Sequence, residues 1–157
     1  MVTIIYYSDT GTNARIAGAI AEARNAEVRE IKSIRRYTFL GKVFGSRRGR
    51  RFPIQPMDAD LSRSEGIILC APVWAGGPAC QLMTFVDQAD WNGKKVAVIF
   101  GCGGLQPERA LRIIRAALED KGAKVVAAEV LNVGKLKGEA LTNAARALCG
   151  SIASMFS

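Results

Sequence analysis

Short apolar runs and segments of helical periodicity alternate along this chain of 157 residues. The runs are rich in Val and Ile, which predicts strands, and the segments between them carry apolar residues three and four positions apart, which predicts helices. Strands are expected at residues 2–7, 26–31, 66–70, 95–100 and 124–133. Helices are expected at 12–24, 37–44, from about 78, at 107–121 and at 138–155, with a loop at 45–51.

The order of these elements predicts an α/β protein. Five strand–helix units in succession favour a parallel sheet with helices on both faces. The run at 66–70 is continuously apolar, as in a strand buried on both faces, whereas the run at 26–31 alternates imperfectly, as in an edge strand. Since no repeat or linker interrupts the pattern, we expect one domain spanning residues 1–157.

The composition is that of a globular protein, with 49% hydrophobic and 23% charged residues. No apolar run approaches the ~20 residues that span a bilayer, and the N-terminus has no basic, cleavable leader pattern, so the cytoplasm is the expected location. The chain has four Cys but no His and no C-x-x-C pair, which argues against a metal site and against Ser-His-Asp or Cys-His catalysis. Cys70 and Cys149 lie in apolar runs and are expected in the core.

Positive charge is the unusual feature of the composition. The formal net charge is +8, and a basic segment at about residues 33–57 contains no acidic residue. An acidic protein, an anionic membrane surface and nucleic acid would all suit such a charge. The cations of the segment are Arg35, Arg36, Lys42, Arg47, Arg48, Arg50 and Arg51.

A polar loop joins the first strand to the first helix. It consists of Ser8, Asp9, Thr10, Gly11, Thr12 and Asn13. Hydroxyl groups and backbone N–H groups at a helix N-terminus favour an anion. The loop has no Lys, and it lacks both the G-x-x-x-x-G-K-[ST] pattern of NTP loops and the G-x-G-x-x-G dinucleotide fingerprint. A terminal monophosphate held mainly by neutral donors suits it, although the same residues are also ordinary helix caps.

Two further loops follow the third and fourth predicted strands. The first contains Pro72, Val73, Trp74, Ala75 and Gly76, and the second contains Gly101, Cys102, Gly103, Gly104 and Gln106. An indole suits a flat, weakly polar ring, and glycines let the main chain approach it. Because carboxyl ends of parallel strands share one edge, we expect the three loops to form one cofactor site. Trp74 could instead cap the core, and Cys102 could be a packing residue or a reactive thiol.

The pattern Ser8-x-Thr10-Gly11-x-Asn13 resembles the phosphate loop of flavodoxin-like proteins, and residues 72–76 resemble their Pro-Val-Trp-x-Gly segment. The resemblance covers nearly the whole chain, in order. It implies a flavodoxin-like, doubly wound five-stranded parallel sheet of order 2-1-3-4-5 and FMN as cofactor, with the phosphate at 8–13 and the ring beside Trp74 and the loop at 101–106. This chain departs from the family in having Cys102 where an aromatic residue is usual, and in being basic where flavodoxin shuttles are acidic.

The resemblance favours an FMN-binding electron-transfer protein, which requires no catalytic side chain. Arg47, Arg48, Arg50 and Arg51 would then dock an acidic redox partner or an anionic substrate, or would form a solvated basic loop. The first alternative is an FMN-dependent NAD(P)H:quinone-type reductase, whose second pocket the segment 33–57 could build. The second is a flavin-free module for an acidic partner, with nucleic acid less favoured. A receiver domain needs an Asp at the end of the third strand, where this chain has Cys70, Ala71 and Pro72.

Overall fold

A computed structural model describes residues 1–104 and 106–156 of the chain. The strands are β1 (Val2–Tyr6), β2 (Glu27–Glu30), β3 (Gly66–Ala71), β4 (Val73–Trp74), β5 (Gly77–Pro78), β6 (Lys95–Gly101) and β7 (Lys124–Leu131). The helices are α1 (Thr12–Arg24), α2 (Phe39–Arg47), α3 (Cys80–Gln88), α4 (Pro107–Asp120) and α5 (Glu139–Ala153), followed by a 3₁₀ turn at Ser154–Phe156. None of the helices in these two described ranges combines the length and hydrophobicity that crossing a bilayer requires.

The main sheet has five parallel strands in the order β2-β1-β3-β6-β7. This confirms the expected flavodoxin-like order, because β6 and β7 are the fourth and fifth strands of this sheet along the chain. β1 lies between the edge strand β2 and the inner strand β3, so Tyr6 is opposite Glu30 on one side and Cys70 on the other. The strand order reverses at β1, and ligands of such sheets bind at the carboxyl ends of the strands near that reversal.

Helices cover both faces of the sheet. Ile4 packs in the layer that contains α1 and α5, whereas its neighbour Ile5 packs in the layer that contains α3 and α4. Ile68 and Ile67 of β3 divide between the two layers in the same way. Because successive strand residues point to opposite faces and both faces are buried, every position of the inner strand β3 is apolar.

The predicted boundaries agree with the structure to within two residues except at α2. This helix begins at Phe39, after Thr38 caps it by accepting a hydrogen bond from the Gly41 N–H at 3.1 Å, and it continues to Arg47. The loop expected at 45–51 therefore begins only at Arg48. The start of α3 at Cys80 has a simple cause, since Gly77–Pro78 pairs with Val73–Trp74 in an antiparallel hairpin.

The side of α2 that carries its large apolar residues faces away from the core. Phe39, Leu40 and Phe44 are 76%, 61% and 53% exposed. The buried residues of the helix are Gly45 and Ser46. The helix thus packs on the protein through its smallest side chains, which a hydrophobic pattern does not reveal.

Candidate functional site

Residues 8–13 form a tight loop at the carboxyl end of β1. Gly11, the N-cap of α1, has a φ of 93°, and its N–H donates to Ser8 Oγ at 3.0 Å. The hydroxyl oxygens of Thr10 and Thr12 lie 3.4 Å apart. The first turn of α1 has no acidic residue, and its leading N–H groups have no partner within the helix. The loop therefore fits a phosphate, held by hydroxyl and backbone donors at the positive end of the helix dipole.

Asn13 points away from this loop and into the protein, where it is 3% exposed. Its Nδ2 donates to the Gly101 carbonyl at 3.3 Å, and its Oδ1 accepts from the Gly101 N–H at 3.1 Å. A Cβ at Gly101 would lie 2.7 Å from both Asn13 Oδ1 and Ile16 Cδ1, so a larger residue there would displace these two buried side chains. The side chain of Asn13 thus joins the loop after β1 to the end of β6.

The loop after β3 is the β4–β5 hairpin, which follows the half-buried Pro72. Its two turn residues, Ala75 and Gly76, have φ values of 49° and 78°, as in the type I′ turns that favour tight hairpins. Val73 is buried in the core, whereas Trp74 is half-buried. The hairpin therefore leaves part of the indole and part of Ala75 available at the carboxyl edge of the sheet, whereas Gly76 is buried.

Trp74 contacts both an aromatic ring and a cation. The Tyr7 ring meets it edge to face, with 6.0 Å between centroids, and Lys42 Nζ lies 5.6 Å from the indole centroid. Lys42 also pairs with the Asp9 carboxylate at 2.5 Å, which balances a negative charge beside the phosphate loop. Burial, and then the charge of Asp9, raises the pKa of Tyr7 to about 12. Sequence reasoning placed Asp9 and Trp74 in the site but missed Lys42, whose only signal was its place in the basic segment.

The loop after β6 runs close to the loop after β7. Cys102 is buried, and its Sγ accepts a hydrogen bond from the Gly104 N–H at 3.4 Å. Its backbone N–H donates to the Leu131 carbonyl at 3.1 Å. A Cβ at Gly103 would lie 3.1 Å from the Gly134 N, so the two loops approach each other closely. These contacts favour the packing role for Cys102 over the reactive thiol.

Two arginines connect the hairpin, α2 and the start of α4. Arg47 Nη1 donates to Gln106 Oε1 at 2.8 Å, and Arg109 Nη1 donates to the Gly76 carbonyl at 2.9 Å. A Cβ at Gly76 would lie 2.8 Å from Gln106 Oε1, so the second and third predicted loops touch here. Sequence reasoning assigned Arg47 to a partner surface and missed Arg109, because helical periodicity gave it no distinguishing feature.

The phosphate loop is flanked by a cavity on each side. One, of about 670 Å³, lies toward the loop after β7 and is lined by Arg15 and Lys137 among others. An anion there would meet two cations in addition to the neutral donors expected from the loop itself. The other, of about 680 Å³, lies toward β2. Its polar lining includes Ser8, Ser33, Arg35, Arg36, Tyr37 and Lys42.

The structure brings the three predicted loops together at the carboxyl edge of the sheet. Asn13 links the first loop to the third, the contact of Gly76 with Gln106 links the second to the third, and Lys42 lies between the first loop and Trp74. The available hydroxyl and backbone donors at 8–13 and the half-exposed indole provide the chemistry that a phosphorylated flavin needs.

Comparison with known proteins agrees with this arrangement. The chain matches the family described as NADPH-dependent FMN reductase over residues 6–138. It is also 29% identical over 106 residues to an NAD(P)H dehydrogenase (quinone) of Deinococcus radiodurans, a match that covers 61% of this chain and 53% of that protein. The chain thus spans about half the length of that relative.

Several solved structures share the fold. A flavoprotein from Bacteroides eggerthii superposes with a TM-score of 0.77 at 20% identity, over 97% of each chain. A flavoprotein in complex with FMN from Lactobacillus acidophilus superposes with a TM-score of 0.72 at 22% identity, over 82% of this chain and 91% of that one. Oxidised flavodoxin 1 from Bacillus cereus superposes with a TM-score of 0.62 at 21% identity, over 98% of this chain and 97% of that one. The flavodoxin-like fold and the FMN cofactor expected from the sequence are confirmed, and the chain belongs to the NADPH-dependent FMN reductase family.

Proposed function

We propose that this protein is an FMN-dependent oxidoreductase that takes a hydride from a reduced nicotinamide nucleotide and passes the electrons to a quinone or similar acceptor. FMN supplies the hydride chemistry when bound, and the protein supplies binding and orientation. The observation that carries the proposal is the cavity of about 680 Å³ beside the phosphate loop. A carrier needs only an exposed flavin edge, whereas a reductase has to hold a substrate next to the flavin.

The chemistry of this cavity suits an anionic substrate. Its volume lies within the usual ~300–1,000 Å³ of small-molecule sites. Arg35 and Arg36 contribute positive charge, and Tyr37 contributes an aromatic surface. Asp9 also lines the cavity, and its carboxylate is paired with Lys42. Lys42 also contacts Trp74, so the cavity adjoins the residues expected beside the flavin ring. Membership in a family of NADPH-dependent FMN reductases supports the same function and argues against a flavin-free binding module.

The test is anaerobic mixing of the FMN-loaded protein with NADPH or NADH while the flavin absorbance is recorded. We expect the oxidised flavin band to disappear at a rate that saturates with nucleotide concentration. The double variant Arg35→Gln/Arg36→Gln should raise the half-saturating concentration by about tenfold, because it removes charged hydrogen-bond donors from the cavity. Arg24→Gln is the control, since Arg24 ends α1 at the opposite edge of the sheet. A flavin that dithionite reduces but neither nucleotide reduces would overturn the proposal.

An electron carrier of the flavodoxin kind is the second candidate, and the exposed loop after α2 favours it. Arg48 and Arg50 are exposed and form no ion pair within residues 1–104 and 106–156. They could therefore dock an acidic electron-transfer protein. Reduction of the flavin by such a protein, with no reduction by either nicotinamide nucleotide, would select the carrier over the reductase.

A further inference from the structure

A third cavity lies between the end of α2, the β4–β5 hairpin and the first turns of α4. Its volume is about 220 Å³. We call it the arginine cleft, because its lining includes Arg47, Arg48, Arg50, Arg51 and Arg109. Arg109 comes from α4 and not from the basic segment, so the fold itself adds to this concentration of positive charge.

Small residues fix the backbone that carries these arginines. A Cβ at Gly77 would overlap the Ser46 carbonyl, and one at Gly45 would lie 2.5 Å from Phe52 Cζ. Ser46 is buried, and its hydroxyl donates to the Pro78 carbonyl at 3.1 Å. The end of α2 is therefore held tightly against the hairpin, and the cleft has a defined shape before any ligand binds.

Three of the five guanidinium groups are already oriented by hydrogen bonds. Arg47 Nη1 donates to Gln106 at 2.8 Å, and Arg109 Nη1 donates to a carbonyl of the hairpin turn at 2.9 Å. Arg51 Nε pairs with the Asp87 carboxylate at 2.7 Å. Because a guanidinium has five N–H donors, each of these groups keeps donors for a ligand. Orientation before binding also reduces the entropy that binding would cost.

The positive charge of the arginine cleft is largely uncompensated. Among the residues that the structure describes, Arg51 with Asp87 is the one ion pair these five arginines form. The Arg48 guanidinium lies 5.7 Å from the Phe44 ring centroid. Arg50 has no carboxylate partner among residues 1–104 and 106–156. Guanidinium groups that share one cavity repel one another, so an anion with several oxygens would stabilise the arrangement.

We propose that the arginine cleft binds phosphate groups of a small molecule, as a second phosphate site separate from the loop at 8–13. The cleft is smaller than a typical drug-sized pocket of ~300–1,000 Å³, and it suits a group the size of phosphate or pyrophosphate. Guanidinium forks match phosphate oxygens in a bidentate manner. The inference that this molecule is a substrate rests on the proposed function. Arg47 and Arg109 contact Gln106 and Gly76 of the loops expected beside the flavin. A molecule whose phosphates lie in the cleft would therefore place its other end near the flavin.

Titration calorimetry of the FMN-loaded protein with inorganic pyrophosphate tests the proposal. FMN occupies the loop at 8–13, so this loop does not compete for the probe. We expect wild-type protein to bind pyrophosphate with an affinity that falls as salt is added. Arg48→Gln/Arg50→Gln should weaken binding by at least about tenfold, since each arginine supplies charged hydrogen bonds. Neither side chain pairs with a carboxylate, so the variant should keep the thermal midpoint of the wild type.

The matched control is Arg35→Gln/Arg36→Gln, which removes the same charge from the same segment but from the 680 Å³ cavity. It should change pyrophosphate affinity by less than about threefold, because neither arginine lines the cleft and their exposed charges are screened by salt. No binding to wild-type protein would overturn the proposal. If the control variant weakened pyrophosphate binding and Arg48→Gln/Arg50→Gln did not, the proposal would also be overturned, because pyrophosphate would then occupy the 680 Å³ cavity.

Steady-state competition identifies the source of the phosphate. If pyrophosphate raises the NADPH concentration needed for half-maximal rate in wild type and not in Arg48→Gln/Arg50→Gln, the cleft holds the phosphates of the nicotinamide nucleotide. Calorimetric binding without competition assigns the cleft to a different phosphorylated molecule. Because calorimetry requires no turnover, a failure to oxidise NADPH would overturn the proposed function and leave the arginine cleft intact.

Discussion

Thr12 and Asn13 are neighbours in the phosphate loop, yet the structure gives their side chains different surroundings. Among the residues that the structure describes, the Thr12 hydroxyl has a hydrogen-bond contact with Thr10 alone, at 3.4 Å, which leaves it available to a ligand. The Asn13 amide is buried and bonded to both backbone groups of Gly101, a residue 88 positions away in the chain. We therefore expect Thr12 to contact the cofactor, whereas Asn13 holds the position of the loop.

Substitution should separate these two roles. Asn13→Ala leaves the buried N–H and carbonyl of Gly101 without partners, so we expect the free energy of unfolding of the apoprotein to fall by about 2–4 kcal/mol. Thr12→Ala should change that free energy by less than about 0.5 kcal/mol. It should weaken FMN binding by about tenfold through the lost phosphate donor. Urea unfolding and fluorescence titration with FMN measure the two quantities, and equal stability losses in both variants would contradict this division.

Tyr7 gives the protein a predictable response to alkaline pH. Its pKa is raised from the ordinary 10.0 to about 12, chiefly by burial. Between these values the unfolded chain has lost the phenol proton while the folded chain keeps it, so stability is complete below about pH 10 and falls as pH rises toward 12. Between pH 10 and 12 the free energy of unfolding of the wild type should fall by about 2 kcal/mol more than that of Tyr7→Phe. Urea unfolding at each pH measures both values. Burial also raises the pKa of Cys70 to about 12, but this affects both proteins equally, so equal losses would refute the assignment to Tyr7.

At the scale of elements, α2 shows how packing overrides hydrophobic pattern. Phe39, Leu40 and Phe44 suggest an apolar face, yet the helix docks through Gly45 and Ser46 because only small residues allow the close approach to the hairpin. The same approach brings Lys42 to Asp9 at one end of the helix and the arginines to the cleft at the other. The position of α2 thus contributes to the shape of both the cavity of about 680 Å³ and the arginine cleft.

The exposed side of α2 should tolerate polar substitution. Phe39→Ser and Leu40→Ser are each expected to change the free energy of unfolding by less than about 0.5 kcal/mol, because neither removes a buried contact. Ile114→Ala in α4 is the contrasting control, since this side chain is fully buried and its truncation should cost about 2–5 kcal/mol. Chemical denaturation provides the comparison. A loss above about 1 kcal/mol at Phe39 would mean that this face is covered in solution.

At the scale of the whole molecule, we expect the net charge of +8 to favour anionic acceptors at the proposed site. Arginines and lysines surround the carboxyl edge of the sheet: Arg35, Arg36 and Lys42 line one cavity, and Arg15 and Lys137 line another. Such a field attracts anions over distances of about a Debye length, ~8 Å at physiological salt.

This field should appear in the kinetics of flavin reoxidation. Reduced FMN-loaded protein should transfer electrons to ferricyanide, a trianion, at a rate that falls steeply as ionic strength rises, because salt screens the attraction. The rate with neutral benzoquinone should be nearly independent of salt and serves as the control. Stopped-flow absorbance measures both. A ferricyanide rate that rises with salt would show that the potential at the flavin edge is negative despite the net charge.

Local patterns determined the order of the elements and the three loops at one edge, because strand and helix periodicity and the turn preferences of Gly, Ser, Thr and Asn act over a few residues. They also predicted a phosphate site at residues 8–13. Only the tertiary structure decided that Asn13 bonds to Gly101, that Lys42 lies between Asp9 and Trp74, and that Arg109 joins the arginines at and after the end of α2. These contacts link residues far apart in the chain, and they depend on how closely small residues let α2 and the hairpin pack, which no short-range pattern encodes.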